Sequence, residues 1–275
     1  MSVVVKIKGK IDFNKLVNEN YDYGVRDTAY RLNKAPDGCK LVVFYDNKSI
    51  GRGIEVELLK NEVELKLASA STRDDVKLFY YLIKIICETN NQDVFIREGE
   101  KKEVKDLKKL LSDEIENNIS SFETLKTIIK QMGGNISIFG TRNPIDIDLS
   151  LLEHLNNNYD NYEKYICDIQ HLDAYYCAPF VLVDDKNKRH GIFTVHPNGL
   201  YIVPIEPFLN NADAPENYKV DYWHIGDENG LVNYDDFIKV FGNSALYDAN
   251  HIVVELTKDK YNDLISKYGI DLNKF

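Results

Sequence analysis

The chain of 275 residues lacks any apolar run near the roughly 20 residues that a membrane-spanning helix needs. Its apolar start, Met1-Ser2-Val3-Val4-Val5, is broken by Lys6 and Lys8 before a secretory core could form. Ser2 removes the glycine that myristoylation requires, and Asn273-Lys274-Phe275 offers no prenylation cysteine. A cytoplasmic protein without a membrane association is therefore expected. Cysteine is also scarce: Cys39, Cys87, Cys167 and Cys177 stand at irregular spacing, which suits buried thiols better than a disulfide framework. The Gly-x-Ser-x-Gly elbow of hydrolases is missing. Gly51-Arg52-Gly53 is too short for a phosphate loop and has no Gly-Lys-Ser/Thr ending, so it reads as a hairpin edge. Accordingly, the sequence assigns no catalytic, cofactor-binding or metal-ligating residue, and no cofactor.

What is present is an ordinary globular balance, 44% hydrophobic and 28% charged, with an uneven charge distribution. Residues 1–132 hold 23 Lys/Arg and 22 Asp/Glu, a net of +1. Residues 133–275 hold 11 Lys/Arg and 22 Asp/Glu, a net of −11, and all six histidines. Two units with different surfaces follow: a near-neutral domain over 1–132 and an acidic, histidine- and tyrosine-bearing domain over 133–275, divided near Gly133-Gly134.

Periodicity supplies the fold class. Val3, Val5 and Ile7 alternate with Lys6 and Lys8, and three further β-like segments lie at 40–45, 54–58 and 63–67. Short polar links between these three predict an antiparallel meander with one wet face. Ser71-Thr72-Arg73-Asp74-Asp75 places a hydroxyl cap before a 3.6-period stripe of Val76, Phe79, Tyr80, Ile83, Ile86 and Cys87, predicting a helix on that meander. Helices are also expected at 102–117 and 121–131, and within 147–166 with Asn156-Asn157-Asn158 as an interruption. In the second half the pattern predicts strands at 136–139, 179–184, 190–196, 200–205, 219–225 and 251–256. Helices at 234–241 and 258–268 accompany them, and a Pro-rich irregular stretch covers 204–217. The expected class is α+β, with two small antiparallel sheets, each packed with helices.

Several constellations tempt a functional reading. Asp227-Glu228-Asn229-Gly230-Leu231 through Asp236-Phe237 resembles the later part of a calcium loop. Ile225 at the first ligand position and a strand-like entry argue instead for a polar turn with Asn233 capping a short helix. His190 and His196 share a strand face but lie about 20 Å apart at about 3.3 Å per residue, too far to hold one ion. Cys167, His171, Asp173 and Cys177 have ligand chemistry without a zinc spacing. The lysines at 101, 102, 105, 108 and 109 interleave with Glu98, Glu100, Glu103 and Asp106, which predicts a solvated helix face. The acidic second half would repel phosphate backbones, so no nucleic-acid partner is expected. A tyrosine-rich stretch from Tyr159 to Trp223, including Tyr175, Tyr201, Tyr218 and Tyr222, supplies apolar area with hydrogen-bonding tips.

A short N-terminal strand, Gly51-Arg52-Gly53-Ile54 leading into Val63-Glu64-Leu65-Lys66-Leu67, and an Asp74-Asp75 helix ending before Phe95-Ile96-Arg97-Glu98-Gly99-Glu100 resemble an uncharacterised bacterial protein family. Its members are comparably long and of unknown function. The resemblance covers the first hundred residues and implies no catalytic residues.

The function is thus not written in the sequence. The expectation it favours is a protein-binding or regulatory module whose acidic second half engages a protein partner, a basic one by charge. A divalent-metal-dependent hydrolase with its site in that half, and a structural subunit of an assembly, are the alternatives. Whether the acids and histidines of 154–251 converge in a pocket is a question for the structure.

Overall fold

Alternating apolar residues become strands, and 3.6-period stripes become helices, in the computed structural model, which describes residues 2–27, 31–209 and 219–270. The chain divides into two compact units, residues 1–172 and 173–275.

Unit 1 is built on an eight-stranded sheet. Its strands are β1 (Ser2–Lys8), β2 (Tyr21–Arg26), β3 (Leu32–Asn33), β4 (Leu41–Asp46), β5 (Ile54–Leu58), β6 (Glu62–Ala68), β7 (Val94–Arg97) and β8 (Glu100–Glu103). They lie in the order β3-β2-β4-β5-β6-β1-β7-β8, and every neighbouring pair is antiparallel. Registers Val5↔Leu65, Ile7↔Val63 and Val56↔Leu65 place these residues on one face, all essentially inaccessible. The opposite face carries Lys6 beside Glu64 at 3.0 Å and Lys66 beside Glu55 at 3.5 Å. The short helix α1 (Phe13–Leu16) adds Leu16 to the core, and α2 (Arg73–Thr89) lays Val76, Phe79, Ile83 and Ile86 on it. Burying each such side chain contributes about 1.5–3 kcal/mol. Thr72 and Asp75 form the expected capping box.

Asp75 also does something the cap alone does not require. Its buried carboxylate accepts the Arg52 N–H at 2.8 Å and the Gly53 N–H at 2.9 Å as well as the Thr72 N–H at 3.0 Å. The loop 51–53 therefore cradles the protein's own anion. Gly53 is held at φ +72°, and a Cβ there would lie 2.6 Å from Val43 Cγ1.

The helices expected at 102–117 and 121–131 are one helix, α3 (Leu107–Met132), preceded by β8 and a short 3₁₀ turn. Across 118–121 the polar side chains bond back to the helix: Asn118 Nδ2 donates to the Glu114 carbonyl and Ser121 Oγ to the Asn117 carbonyl. Gly133, at φ +66°, ends α3 as a left-handed cap. It stops a helix inside unit 1 rather than between the units. The hairpin β9 (Ile136–Phe139) and β10 (Pro144–Ile147) follows, with α4 (Leu149–His154) and α5 (Tyr159–Gln170). These pack with the N-terminal elements: Tyr159 Oη donates to the Ser71 carbonyl at 2.6 Å, Tyr162 Oη to the Ala70 carbonyl at 2.9 Å, and Arg73 pairs with Asp160 and Glu163. The compact units part at 172/173, and within unit 1 α5 supplies partners for the start of α2.

Unit 2 holds two sheets. One is three-stranded, in the order β11 (Tyr175–Tyr176), β14 (Gly199–Pro204), β17 (His251–Leu256). The other is five-stranded, in the order β12 (Pro179–Val183), β13 (Arg189–Thr194), β15 (Tyr222–Asp227), β16 (Gly230–Asn233), β18 (Gly269–Ile270). Helices α6 (Tyr234–Phe241) and α7 (Lys258–Tyr268) join them around Phe193, Ile225, Val232, Phe237, Ile252 and Leu264. The α+β class stands. The expectation of two small antiparallel sheets does not: the described residues form four sheets, and the β11–β14 and β13–β15 pairs are parallel. Part of the Pro-rich stretch, and Tyr218, lie outside the described residues.

Candidate functional site

The segment Pro179-Phe180-Val181-Leu182-Val183 has no charge and no polar side chain, and it forms β12, the terminal strand of the five-stranded sheet. Among the described residues its outer edge pairs with no other strand. The direction of its backbone groups follows from register. Asp184 N–H donates to the Lys188 carbonyl at 2.9 Å, continuing the β12–β13 ladder. Alternation in an antiparallel pair then turns the N–H and C=O groups of Phe180 and Leu182 toward β13. Those of Val181 and Val183 face outward, as does the carbonyl of Pro179. Proline is tolerated at such an outward position because the ladder never needed its N–H.

The side chains of this edge are equally open. Phe180↔Ile192, Leu182↔His190, His190↔Tyr222 and Ile192↔His224 share one sheet face, opposite the face that carries Phe193, Ile225 and Val232. Phe180, Leu182 and Tyr222 are 46%, 52% and 50% exposed, whereas His190, Ile192 and His224 are buried. Beneath the exposed rim runs a polar chain: Asp184 Oδ2 lies 3.3 Å from His190 Nε2, and His190 Nδ1 lies 3.0 Å from His224 Nε2. Tyr222 stacks on the His190 ring at 5.1 Å. Burial, reinforced by the neighbouring His190, lowers the His224 pKa to about 4, so this imidazole is neutral at pH 7. The Lys188 backbone N–H chiefly, with His190, holds the Asp184 carboxyl below its usual range.

The contrast with the other sheet is chemical. Strand β8, which also ends its sheet, reads Glu100-Lys101-Lys102-Glu103, a charged edge of the kind that discourages strand addition. Strand β12 lacks that protection.

The remaining histidines and cysteines separate into local groups. His196 lies just past β13, and its Nδ1 is 2.9 Å from Asp227 Oδ2. Asp227 also accepts Tyr261 Oη at 2.5 Å and the Asn229 N–H at 2.8 Å. Burial would raise this carboxyl, but bonds from Tyr261, His196 and Asn229 outweigh it and hold it low. Glu228 stands close enough that one ligand atom each from His196, Asp227 and Glu228 fall within 4.8 Å of one another. The calcium-like segment is strand, tight turn, strand and helix, with Asp227 opposite Gly230 across the hairpin and Asp236 paired with Lys239. Asn233 occupies the N-cap position of α6 without a side-chain cap bond. His190 and His196 have different partners, as their spacing required. Cys167 Sγ meets Ser49 Oγ at 3.4 Å and His171 Nδ1 the Cys167 carbonyl at 2.7 Å. Burial pushes the Cys87 and Cys167 thiols up to about 11, which leaves them protonated and weakly nucleophilic at pH 7. In unit 2, Tyr176 Oη, His251 and Asp248 form a buried chain, at 2.9 Å from Tyr176 Oη to His251 Nε2 and 2.8 Å from His251 Nδ1 to Asp248.

A family model described as a domain of unknown function, DUF4299, matches residues 1–264. The chain belongs to that family. The match runs through both units and well beyond the first hundred residues, where the resemblance was legible. No curated protein and no solved structure matches the chain. Membership in this family therefore carries no activity, and no helix among the described residues is long and apolar enough to cross a membrane.

Sequence reasoning located β12 as a strand but not as an edge. The signal it contained was the composition of 179–183, an uncharged apolar pentapeptide with proline at its first position.

Proposed function

We propose that this protein is a polypeptide-binding module that takes an extended segment of a partner as an added strand along β12. The observation that carries this reading is an edge without charged side chains and, among the described residues, without a neighbouring strand: outward-facing amides of Val181 and Val183 beside half-exposed Phe180 and Leu182. Strand addition gains affinity from main-chain hydrogen bonds and selectivity from alternate side chains. A partner segment would therefore carry apolar residues at every second position, over Phe180 and Leu182. Residues 173–275 hold 16 Asp/Glu against 9 Lys/Arg, so a segment rich in Lys and Arg is the complementary one.

The test uses Val181→Pro. This removes an outward N–H without touching a β13 bond, so the sheet survives while strand addition is blocked. Peptides selected from a displayed library on the full chain should alternate apolar residues, be rich in Lys and Arg, and bind Val181→Pro at least about tenfold more weakly. Selected peptides that bind the variant equally would sink the reading. A concentration-dependent dimer dissolved by the same substitution would assign the edge to a second copy instead.

A second reading rests on the proximity of His196, Asp227 and Glu228 and makes unit 2 a divalent-metal hydrolase. It requires His196→Ala to abolish a saturable zinc- or manganese-induced rise in melting temperature.

A further inference from the structure

A cleft of about 280 Å³ opens in unit 1, far from β12 in the sequence, and its chemistry is opposite to that of the chain as a whole. Arg26, Arg52, Lys66, Glu55, Gly53 and Phe139 contribute to its wall. Three cations against one carboxylate give a local charge of +2 in a chain of net charge −10. Glu55 is already shared: its Oε1 takes Arg26 Nη1 at 2.7 Å and its Oε2 faces Lys66 Nζ at 3.5 Å.

The donors are not all spent. Arg26 Nη2 donates to the carbonyls of Arg52 and Gly140, both at 3.0 Å, but its buried Nε–H has no acceptor. Arg52 gives Nε to the Phe139 carbonyl at 3.1 Å and Nη1 to the Ser69 carbonyl, which leaves Nη2 uncommitted among the described residues. Orphaned buried donors are uncommon, and each costs about 1–3 kcal/mol unless something accepts from it. Here one of them, Arg26 Nε, belongs to a side chain of the cleft wall, beside an unbalanced pair of positive charges. The backbone amides of the 51–53 loop are not the attraction, since Asp75 already holds those of Arg52 and Gly53. The side chains are.

A cleft with surplus donors and a surplus charge of +2 suits a ligand that only accepts hydrogen bonds and carries two negative charges. Guanidinium groups match the oxygen geometry of phosphate. Phe139, with the Arg26 guanidinium 5.9 Å from its ring centre, offers an apolar wall for a carbon substituent. We propose that this cleft binds a small phosphomonoester, with Arg52 and Lys66 as its principal charge partners.

Titration of the full chain at constant ionic strength tests this, using glycerol phosphate, inorganic phosphate, succinate and chloride, read by calorimetry and by melting temperature. The expected result is saturable binding of glycerol phosphate, tighter than inorganic phosphate and absent with chloride. Lys66→Gln should weaken it at least about tenfold, and Lys66→Arg should retain it. Lys66 is nearly half exposed and forms an ion pair with Glu55 at 3.5 Å, so this variant keeps its fold, whereas Arg52→Ala loses two structural bonds. No saturable binding of glycerol phosphate by about 10 mM, unchanged affinity in Lys66→Gln, or binding of succinate alone would each overturn the proposal.

Discussion

Asp75 shows how one residue ties three segments together. Its Oδ2 accepts from Arg52 N–H, Thr72 N–H and Thr72 Oγ, and its Oδ1 from Gly53 N–H. Burial, opposed by these four bonds, holds its carboxyl above the usual range. Asp75→Ala would orphan buried backbone donors and should cost about 3–5 kcal/mol in a urea titration. Asp75→Asn should cost less, about 1–3 kcal/mol, because its amide nitrogen can face only one set of those donors. Equal losses for both would mean that packing, not hydrogen bonding, sets the value of this site. At His224 the sign of the pH effect can be worked out. Its folded pKa, about 4, lies below the ordinary 6.5, so the unfolded state takes up the proton first as pH falls. Stability should decline from pH 6.5 toward pH 4 and be flat in this respect above 7. His224→Gln should remove that part of the slope in melting temperature against pH; an unchanged slope would refute the assignment.

At the scale of elements, what the sequence made legible was what depends on near neighbours. The strands at 54–58 and 63–67, the α2 cap, and the Asn156-Asn157 interruption between α4 and α5 are local, and the left-handed φ values of 56° and 51° at those asparagines show why the helix stops there. The continuity of α3 between the expected helices at 102–117 and 121–131 was not legible, although Asn118 and Ser121 bond back to carbonyls of the same helix. Edge status was hidden for a different reason. Residues 179–183 read the same whether a strand lies on one side or both, and only the parallel insertion of β15 next to β13 leaves β12 outermost. The cleft proposed for the phosphomonoester was likewise invisible, since it gathers Arg26, Lys66 and Phe139 from three strands, β2, β6 and β9, and Arg52 from the loop between β4 and β5. The edge carries its own prediction. Leu182→Lys places a charge where β8 has one, so the unfolding free energy should change by no more than about 0.5 kcal/mol, while light scattering at high protein concentration falls. A large loss of stability would show that Leu182 is held by more than its exposed rim.

For the whole molecule, charge and strand addition make separable demands on binding. The charge contrast between the compact units is milder than that between the sequence halves: residues 1–172 carry 25 Lys/Arg and 28 Asp/Glu, and residues 173–275 carry 9 and 16. The six acids of 133–172 belong with unit 1, where Asp160 and Glu163 are occupied by Arg73. What unit 2 contributes beyond its local pairs, such as Lys239–Asp236 and Lys188–Asp221, is a net negative field, and such a field acts on encounter more than on residence. Raising salt from about 50 to about 500 mM should therefore lower the association rate of a Lys/Arg-rich peptide by roughly tenfold and change its dissociation rate by less than about threefold. Val181→Pro should do the reverse, accelerating dissociation with little effect on association, because it removes a short-range hydrogen bond that forms only after docking. Stopped-flow measurements on both proteins across the same salt series separate the two effects. If salt acted mainly on dissociation, the acidic residues would be contacting the peptide directly, and the apolar edge of β12 would no longer be the site that holds it.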